Sequence, residues 1–155
     1  MADLFISTEV PFQAVSFKGA DVVTFLQGQV TADISSPSDK LFYPCFFCQY
    51  QGKVLANGFL FVQAQDTAIF ICHDSISALL IENLTPYAKL AKVEISLLNF
   101  SFYGLLFNQK SSSLPAVNAY IDYDQFKVAT ISRGLGIAFG DERALRTWLV
   151  KKNYL

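Results

Sequence analysis

The alternation of apolar and polar positions predicts strands and short helices along the whole chain. Apolar residues fill nearly every position, or every second position, of segments that are typical of β-strands. These segments are residues 4–7, 11–17, 41–50, 53–63, 67–72, 93–97, 100–107, 117–123, 125–131 and 135–139. Three further segments have apolar residues at helical spacing, which predicts an amphipathic helix in each. Their buried faces are predicted to be Val22, Phe25 and Leu26; Ile76, Leu79, Leu80 and Leu84; and Ala144, Leu145, Trp148 and Leu149.

The residues that flank these helices suit helix ends. The predicted N-caps, whose side chains accept hydrogen bonds from the first helical turn, are Asp21, Asp74 or Ser75, and Asp141. Gly28 is expected to end the first helix and Pro86 the second. Within the strand at residues 53–63, Gly58 lacks a side chain and is expected to leave room for a group close to the sheet.

Four polar residues, Gln27, Gln29, Thr31 and Asp33, follow the first helix within seven positions of one another. One interpretation is that they form capping and turn contacts, as short polar side chains often do. The other is that they form the polar rim of a ligand pocket. The pattern of residue types alone leaves both interpretations open.

Composition narrows the range of functions. The chain has 155 residues, 52% of them hydrophobic, and a net charge of −1. It is long enough for one domain with a large core. Because it lacks a broad positive charge, direct nucleic-acid binding is not expected. It has neither an apolar run of about 18 residues nor a leader-like N-terminus, so we expect a cytoplasmic protein with no membrane contact.

The cysteines and the histidine do not predict a reactive centre. Cys45 and Cys48 form a C-x-x-C pair inside an apolar strand, and Cys72 is the third cysteine. Structural metal sites usually need four ligands, and residues three apart on a strand point to opposite faces. We therefore expect buried structural thiols, no metal bound by this chain and no catalytic residues. His73 is expected to make a local turn or capping contact.

Several runs resemble the YgfZ-type folate-binding proteins, which are related to the aminomethyltransferase (T-protein) of glycine cleavage. The runs are Gly-Ala-Asp at 19–21, Phe-Leu-Gln-Gly-Gln-Val-Thr-Ala-Asp at 25–33, Gly-Lys-Val-Leu at 52–55, and Tyr87 followed by Lys-Val-Glu-Ile at 92–95. Together they cover most of residues 10–100.

The resemblance implies an α+β fold, with antiparallel sheets and helices packed outside them. It also implies a duplicated strand–helix–strands–helix unit that exchanges strands between its copies, here residues 1–97 and 98–155 of one N-terminal folate-binding-type domain. The second copy is expected to be degenerate, because residues 108–115 stand where its first helix should be. The cysteine signature of the family lies in a further half that is absent, so we expect a fragment or a short member.

The resemblance also implies a function. The expected ligand is tetrahydrofolate or a folate derivative, bound in support of iron–sulfur cluster assembly or repair and of tRNA modification. The family has an aromatic residue at the position of Phe12, which is expected to stack on the ligand. Gln27, Gln29, Thr31 and Asp33 are hypothesised to be polar contacts of the pocket or of a domain boundary. Iron–sulfur assembly factors and cluster-dependent tRNA-modifying enzymes are the implied partners.

Enzymatic activity is less expected than binding. Where the related aminomethyltransferases have aspartates, this chain has Ala56 and Asn57. Neither side chain accepts a proton at neutral pH, which the transferase chemistry needs. Two alternatives stay open: a folate-dependent, aminomethyltransferase-like enzyme, and a scaffold that binds partners without any ligand.

Overall fold

The computed structural model describes residues 6–108 and 114–152, which form ten strands and three helices. The strands are β1 (Ile6–Glu9), β2 (Phe12–Lys18), β3 (Phe42–Cys48), β4 (Val54–Ala64), β5 (Thr67–His73), β6 (Glu94–Leu98), β7 (Ser101–Leu106), β8 (Tyr120–Asp122), β9 (Phe126–Ser132) and β10 (Leu135–Gly140). The helices are α1 (Val22–Gln27), α2 (Asp74–Leu90) and α3 (Glu142–Lys151).

The strands form two five-stranded sheets whose topologies repeat each other. One sheet has the order β3-β4-β5-β2-β6 and the other β8-β9-β10-β7-β1. Strands β7 to β10 thus occupy in the second sheet the places of β2 to β5 in the first, and β1 completes the second sheet from the N-terminal side. All neighbouring strands are antiparallel. The predicted α+β class with duplicated antiparallel units is confirmed.

The chain divides into two compact units, each built around one sheet. The first unit is Phe12–Leu98, and the second combines the chain before Phe12 with the chain after Leu98. The predicted repeat limits, 1–97 and 98–155, remain a prediction. Among the described residues, none of the helices combines the length and hydropathy that crossing a bilayer requires.

In the first unit, α1 and α2 cover one face of the sheet. Val22, Phe25 and Leu26 of α1 and Leu80, Leu84 and Ala88 of α2 join strand residues such as Val15, Phe17 and Phe70 in one core. The predicted apolar face of α1 is therefore confirmed. For α2, Leu80 and Leu84 are buried, whereas Leu79 is nearly half exposed.

In the second unit, α3 packs on its sheet through Leu145 and Leu149, which contact a core that includes Tyr103, Leu105 and Val128. Asp141 caps α3 as predicted, since its Oδ1 accepts a hydrogen bond from the Ala144 amide at 2.9 Å. Between β7 and β8, the described residues 107–108 and 114–119 contain no helix. The remainder of the predicted helix gap lies outside the described residues.

Three predictions about helix ends are wrong. Asp21 precedes α1, but its side chain makes no capping bond. His73, not Asp74 or Ser75, is the N-cap of α2, because its Nδ1 accepts from the Ser75 amide at 3.2 Å. Pro86 lies inside α2, which continues to Leu90 because buried Leu84 and Ala88 on its core face stabilise the helix across the proline. Gly28 ends α1 as predicted, and it does so in the right-handed conformation, with φ −77°.

The expectation for Gly58 also needs correction. A Cβ atom at this position would overlap the carbonyl oxygen of Ile71 and lie 2.7 Å from the ring of Phe70. The space that a Cβ atom would take is therefore filled by the neighbouring strand β5, and glycine is needed here for close sheet packing.

Candidate functional site

A cleft of about 490 Å³ lies on the first unit and is lined by residues of the four strands β2, β3, β4 and β5. We call it the Phe12 cleft, after the residue that begins β2. Phe12 pairs in register with His73 at the end of β5, and Phe46 of β3 pairs with Asn57 of β4. Phe59 completes the wall on β4, where strand alternation places it on the same side as Asn57. Sheet register thus brings residues distant in sequence into one site.

The chemistry of the Phe12 cleft is aromatic and almost uncharged. Three phenylalanine rings, the Asn57 amide and the His73 imidazole line it, and none of its described lining residues is Asp, Glu, Lys or Arg. His73 is held by its capping bond, in which Nδ1 accepts from the Ser75 amide at 3.2 Å. Such a surface suits a flat, neutral molecule that forms hydrogen bonds through its edge.

Positions 56 and 57, where the sequence resemblance implies aspartates in the aminomethyltransferases, face different surroundings. Ala56 is 3% exposed and packs in the helix-covered core. Asn57 is exposed and lines the Phe12 cleft. Only position 57 can therefore present a side chain to a ligand, and it supplies an amide that donates and accepts but does not take up a proton.

A second cleft of about 670 Å³ lies between α2, the β3–β4 hairpin and the segment after α1. We call it the Tyr87 cleft. Its polar wall includes Gln29, Thr31, Gln49, Tyr50, Glu82 and Tyr87. It has no lining residue in common with the Phe12 cleft.

Three of the four polar residues at the end of α1 and just after it hold the backbone of the segment. Gln27 Oε1 accepts from the Ile34 amide at 2.7 Å. Asp33 Oδ1 accepts from the Ser35 hydroxyl and amide, and these bonds lower the pKa of its carboxyl. Thr31 Oγ1 accepts from the Phe46 amide at 3.0 Å, while the Thr31 amide donates to the Phe46 carbonyl. The segment is thereby fastened along β3, the outer strand of its sheet.

The predicted site residues are not brought together in one pocket. Phe12 lines the first cleft, Gln29 and Thr31 line the second, and Gln27 and Asp33 line neither. Sequence reasoning did not assign His73, Phe46 and Phe59 to a site. Strand alternation carried a signal for Phe59, because it predicts that Asn57 and Phe59 share a face.

The three cysteines are free thiols. Burial raises the pKa of Cys45 to about 12 and, with a contribution from the charge of Asp74, that of Cys72 to about 11. Cys48 is half-buried at the Tyr87 cleft. Within residues 6–108 and 114–152, no three His, Cys, Asp or Glu side chains are grouped as a metal site would require.

Comparison with solved structures identifies the class of fold. The glycine cleavage system aminomethyltransferase T from Bartonella henselae superimposes with a TM-score of 0.77 at 10% identity. The match covers 96% of this chain and 45% of that protein. The chain therefore has the fold of one part of an aminomethyltransferase, whereas the low identity carries no statement about activity.

Comparison with curated protein sequences gives a more specific similarity than the fold alone. They are the tRNA-modifying protein YgfZ of Yersinia pseudotuberculosis, 39% identical over 82 residues, and that of Yersinia enterocolitica, 35% identical over 101 residues. The matches cover 53% and 60% of this chain but only 24% and 30% of the relatives. No family model matches the chain. The predicted resemblance to YgfZ-type proteins is confirmed for this part of their length.

Proposed function

We propose that the chain binds a tetrahydrofolate-type ligand in the Phe12 cleft and that this binding supports tRNA modification. The observation that carries the proposal is that Phe12 and Asn57, singled out separately in the sequence, line one cleft of about 490 Å³. That volume is in the range of small-molecule sites.

The chemistry of a reduced folate matches the lining of this cleft. The pterin ring is flat and stacks on aromatic side chains, which favours contact with Phe12, Phe46 or Phe59. Its edge alternates donors and acceptors, and Asn57 offers one of each. Burying that edge against an amide avoids the cost of leaving polar groups without partners.

Binding without turnover is the favoured activity. Asn57 cannot take a proton from an amine, so this position cannot supply the general base that the aspartate of an aminomethyltransferase would provide in one-carbon transfer from a folate. The relatives are named for tRNA modification. A net charge of −1 favours action through partner proteins rather than by direct contact with RNA. We propose cytoplasmic iron–sulfur assembly factors or cluster-dependent tRNA-modifying enzymes as those partners.

Anaerobic calorimetric titration with tetrahydrofolate tests the proposal. Phe12→Leu keeps an apolar side chain but removes the ring, so the Kd is expected to rise about tenfold. Tyr87→Leu is the matched control, because it removes a ring from the other cleft and is expected to leave the Kd unchanged. Thermal melts of both variants check that the fold is retained.

Three outcomes would contradict the proposal. Saturable binding that Tyr87→Leu weakens and Phe12→Leu does not would move the ligand to the other cleft. Absence of binding at millimolar tetrahydrofolate, together with capture of an assembly factor, would favour the scaffold alternative. Transfer of a one-carbon group to or from the ligand would favour the enzyme alternative.

A further inference from the structure

We infer that the Tyr87 cleft is a second recognition site, which binds an arginine side chain on a partner polypeptide. This inference goes beyond folate binding and does not depend on it, because the two clefts have separate linings.

The charge of the cleft favours a cation. Glu82 is the one carboxylate among the described lining residues, and none of them is Lys or Arg. The other polar side chains include the amides of Gln29, Gln49 and Asn83. Asn83 Nδ2 donates to the Leu79 carbonyl at 2.9 Å and Asn83 Oδ1 accepts from Gln49 Nε2 at 3.5 Å, so one further lone pair of that oxygen is left to accept from a ligand. An anionic ligand would meet Glu82 with no compensating positive charge.

Pro86 changes the backbone hydrogen bonding of α2 at the same wall. Pro86 lies inside the helix and has no backbone N–H, so it cannot form the usual helical hydrogen bond to the carbonyl of Glu82. Glu82 and Pro86 both line the cleft. A ligand with several donors in a fixed fork could reach both the carboxylate and this carbonyl, as a guanidinium does.

The aromatic side chains distinguish guanidinium from ammonium. Tyr50 is 90% exposed and Tyr87 is 52% exposed, which leaves their rings available to a ligand. A planar guanidinium stacks on such rings and is weakly hydrated, whereas an ammonium is a compact and strongly hydrated charge. The cleft is therefore expected to prefer arginine to lysine.

The size and apolar walls indicate a polypeptide rather than a free small cation. A volume of about 670 Å³ exceeds what a guanidinium group fills. Val30, Leu55 and Leu84 provide apolar surface beside the polar groups. This surface suits apolar residues that flank the arginine in a partner chain.

The probe is acetyl-leucyl-arginyl-leucinamide, titrated into the 15N-labelled chain and followed by amide chemical shifts. Shifts are expected at residues 28–31, 48–50 and 82–87. The citrulline peptide, which has the same shape without the charge, the lysine peptide and methylguanidinium are all expected to bind at least about fivefold more weakly. A tighter or equal affinity for any of these three, or shifts confined to other residues, would overturn the inference.

Two variants test the wall formed by α2. Glu82→Gln removes the carboxylate charge and is expected to weaken binding of the arginine peptide about tenfold. Glu94→Gln is the matched control, because it removes an exposed carboxylate on β6, outside the cleft. Pro86→Ala supplies an N–H for the Glu82 carbonyl and is expected to weaken binding while stabilising the helix. Retained affinity in Glu82→Gln would refute the assignment. Tetrahydrofolate affinity is measured in the same samples, so a failure of either proposal is recognised separately.

Discussion

Phe12 and Asn57 lie on strands that do not pair with each other, yet they line the same cleft. Strand β5 separates β2 from β4 in the sheet and contributes His73 to the same wall. One strand therefore lies between the Phe12 ring and the Asn57 amide, and the backbone hydrogen bonds of the sheet keep this separation constant. Sheet register therefore fixes the spacing between the groups that would contact the ring and the edge of a ligand.

The first prediction concerns the amide of this pair. Asn57→Leu removes its donor and acceptor, and the Kd for tetrahydrofolate is expected to rise about tenfold because the edge of the ligand loses its partners. Gln29→Leu removes an amide from the Tyr87 cleft and is expected to leave this Kd unchanged. Calorimetric titration of both variants is the measurement. Equal Kd values for the parent and Asn57→Leu would show that the amide does not contact the ligand.

The second prediction compares two glycines of the same unit. Gly58→Ala would drive its Cβ into the carbonyl oxygen of Ile71, so it is expected to destabilise the fold by about 3 kcal/mol or more. Gly28→Ala has no atom closer than 3.5 Å to its Cβ and has a right-handed φ, so its effect is expected to stay within about 0.5 kcal/mol. Urea unfolding measures both. Similar losses in the two variants would contradict the packing argument.

The third prediction separates two aspartates that precede helices. Asp141→Ala removes a capping bond of 2.9 Å and is expected to lower the free energy of unfolding by about 1 kcal/mol. Asp21→Ala removes no capping bond, so a change of less than about 0.5 kcal/mol is expected. Chemical denaturation of each variant measures the free energy of unfolding. A larger decrease for Asp21→Ala than for Asp141→Ala would contradict the assigned caps.

The fourth prediction follows from the buried thiol of Cys45. Burial raises its pKa in the folded chain from 9.0 to about 12, so the unfolded chain releases this proton first as pH rises. The stability it contributes is complete below about pH 9 and is lost progressively as the pH rises towards 12. Removing the thiol should therefore flatten the decline of stability in alkali.

Urea unfolding between pH 7 and 10.5 measures this decline. Cys45→Ala is expected to have a shallower slope than the parent, because it lacks the thiol whose pKa burial raises. The other titrating groups are common to the parent and Cys45→Ala and cancel in the comparison. Identical slopes for Cys45→Ala and the parent would contradict the assigned burial effect.

The sequence predicted the strands and helices well because their apolar residues recur with clear periods. The sequence-based prediction failed at helix ends that are determined by tertiary packing. Pro86 stays inside α2 because Leu84 and Ala88 anchor the helix on both sides of it. His73 replaces Asp74 as the N-cap, although an imidazole is an uncommon cap, because its Nδ1 is placed to accept from the Ser75 amide.

The candidate site was only partly predictable. The resemblance pointed to Phe12 and to position 57, but their meeting in one cleft depends on the order of strands, which periodicity does not reveal. The polar residues at the end of α1 and just after it were predicted as one possible site, but the structure does not bring them together in one pocket. Residue types alone could not separate a ligand rim from turn contacts, and the hydrogen bonds of Gln27, Thr31 and Asp33 are to the backbone of residues 34, 46 and 35.

The hydrogen bonds between Thr31 and Phe46 have a consequence for the aggregation of this protein. An unprotected outer strand carrying Phe42, Phe46 and Phe47 would offer its free amides and carbonyls as a template for a strand of another molecule, the first step towards amyloid-like polymers. Residues 29–31 form hydrogen bonds to part of this strand edge. The backbone segment that lines the Tyr87 cleft therefore also reduces the edge that is open to pairing with another molecule.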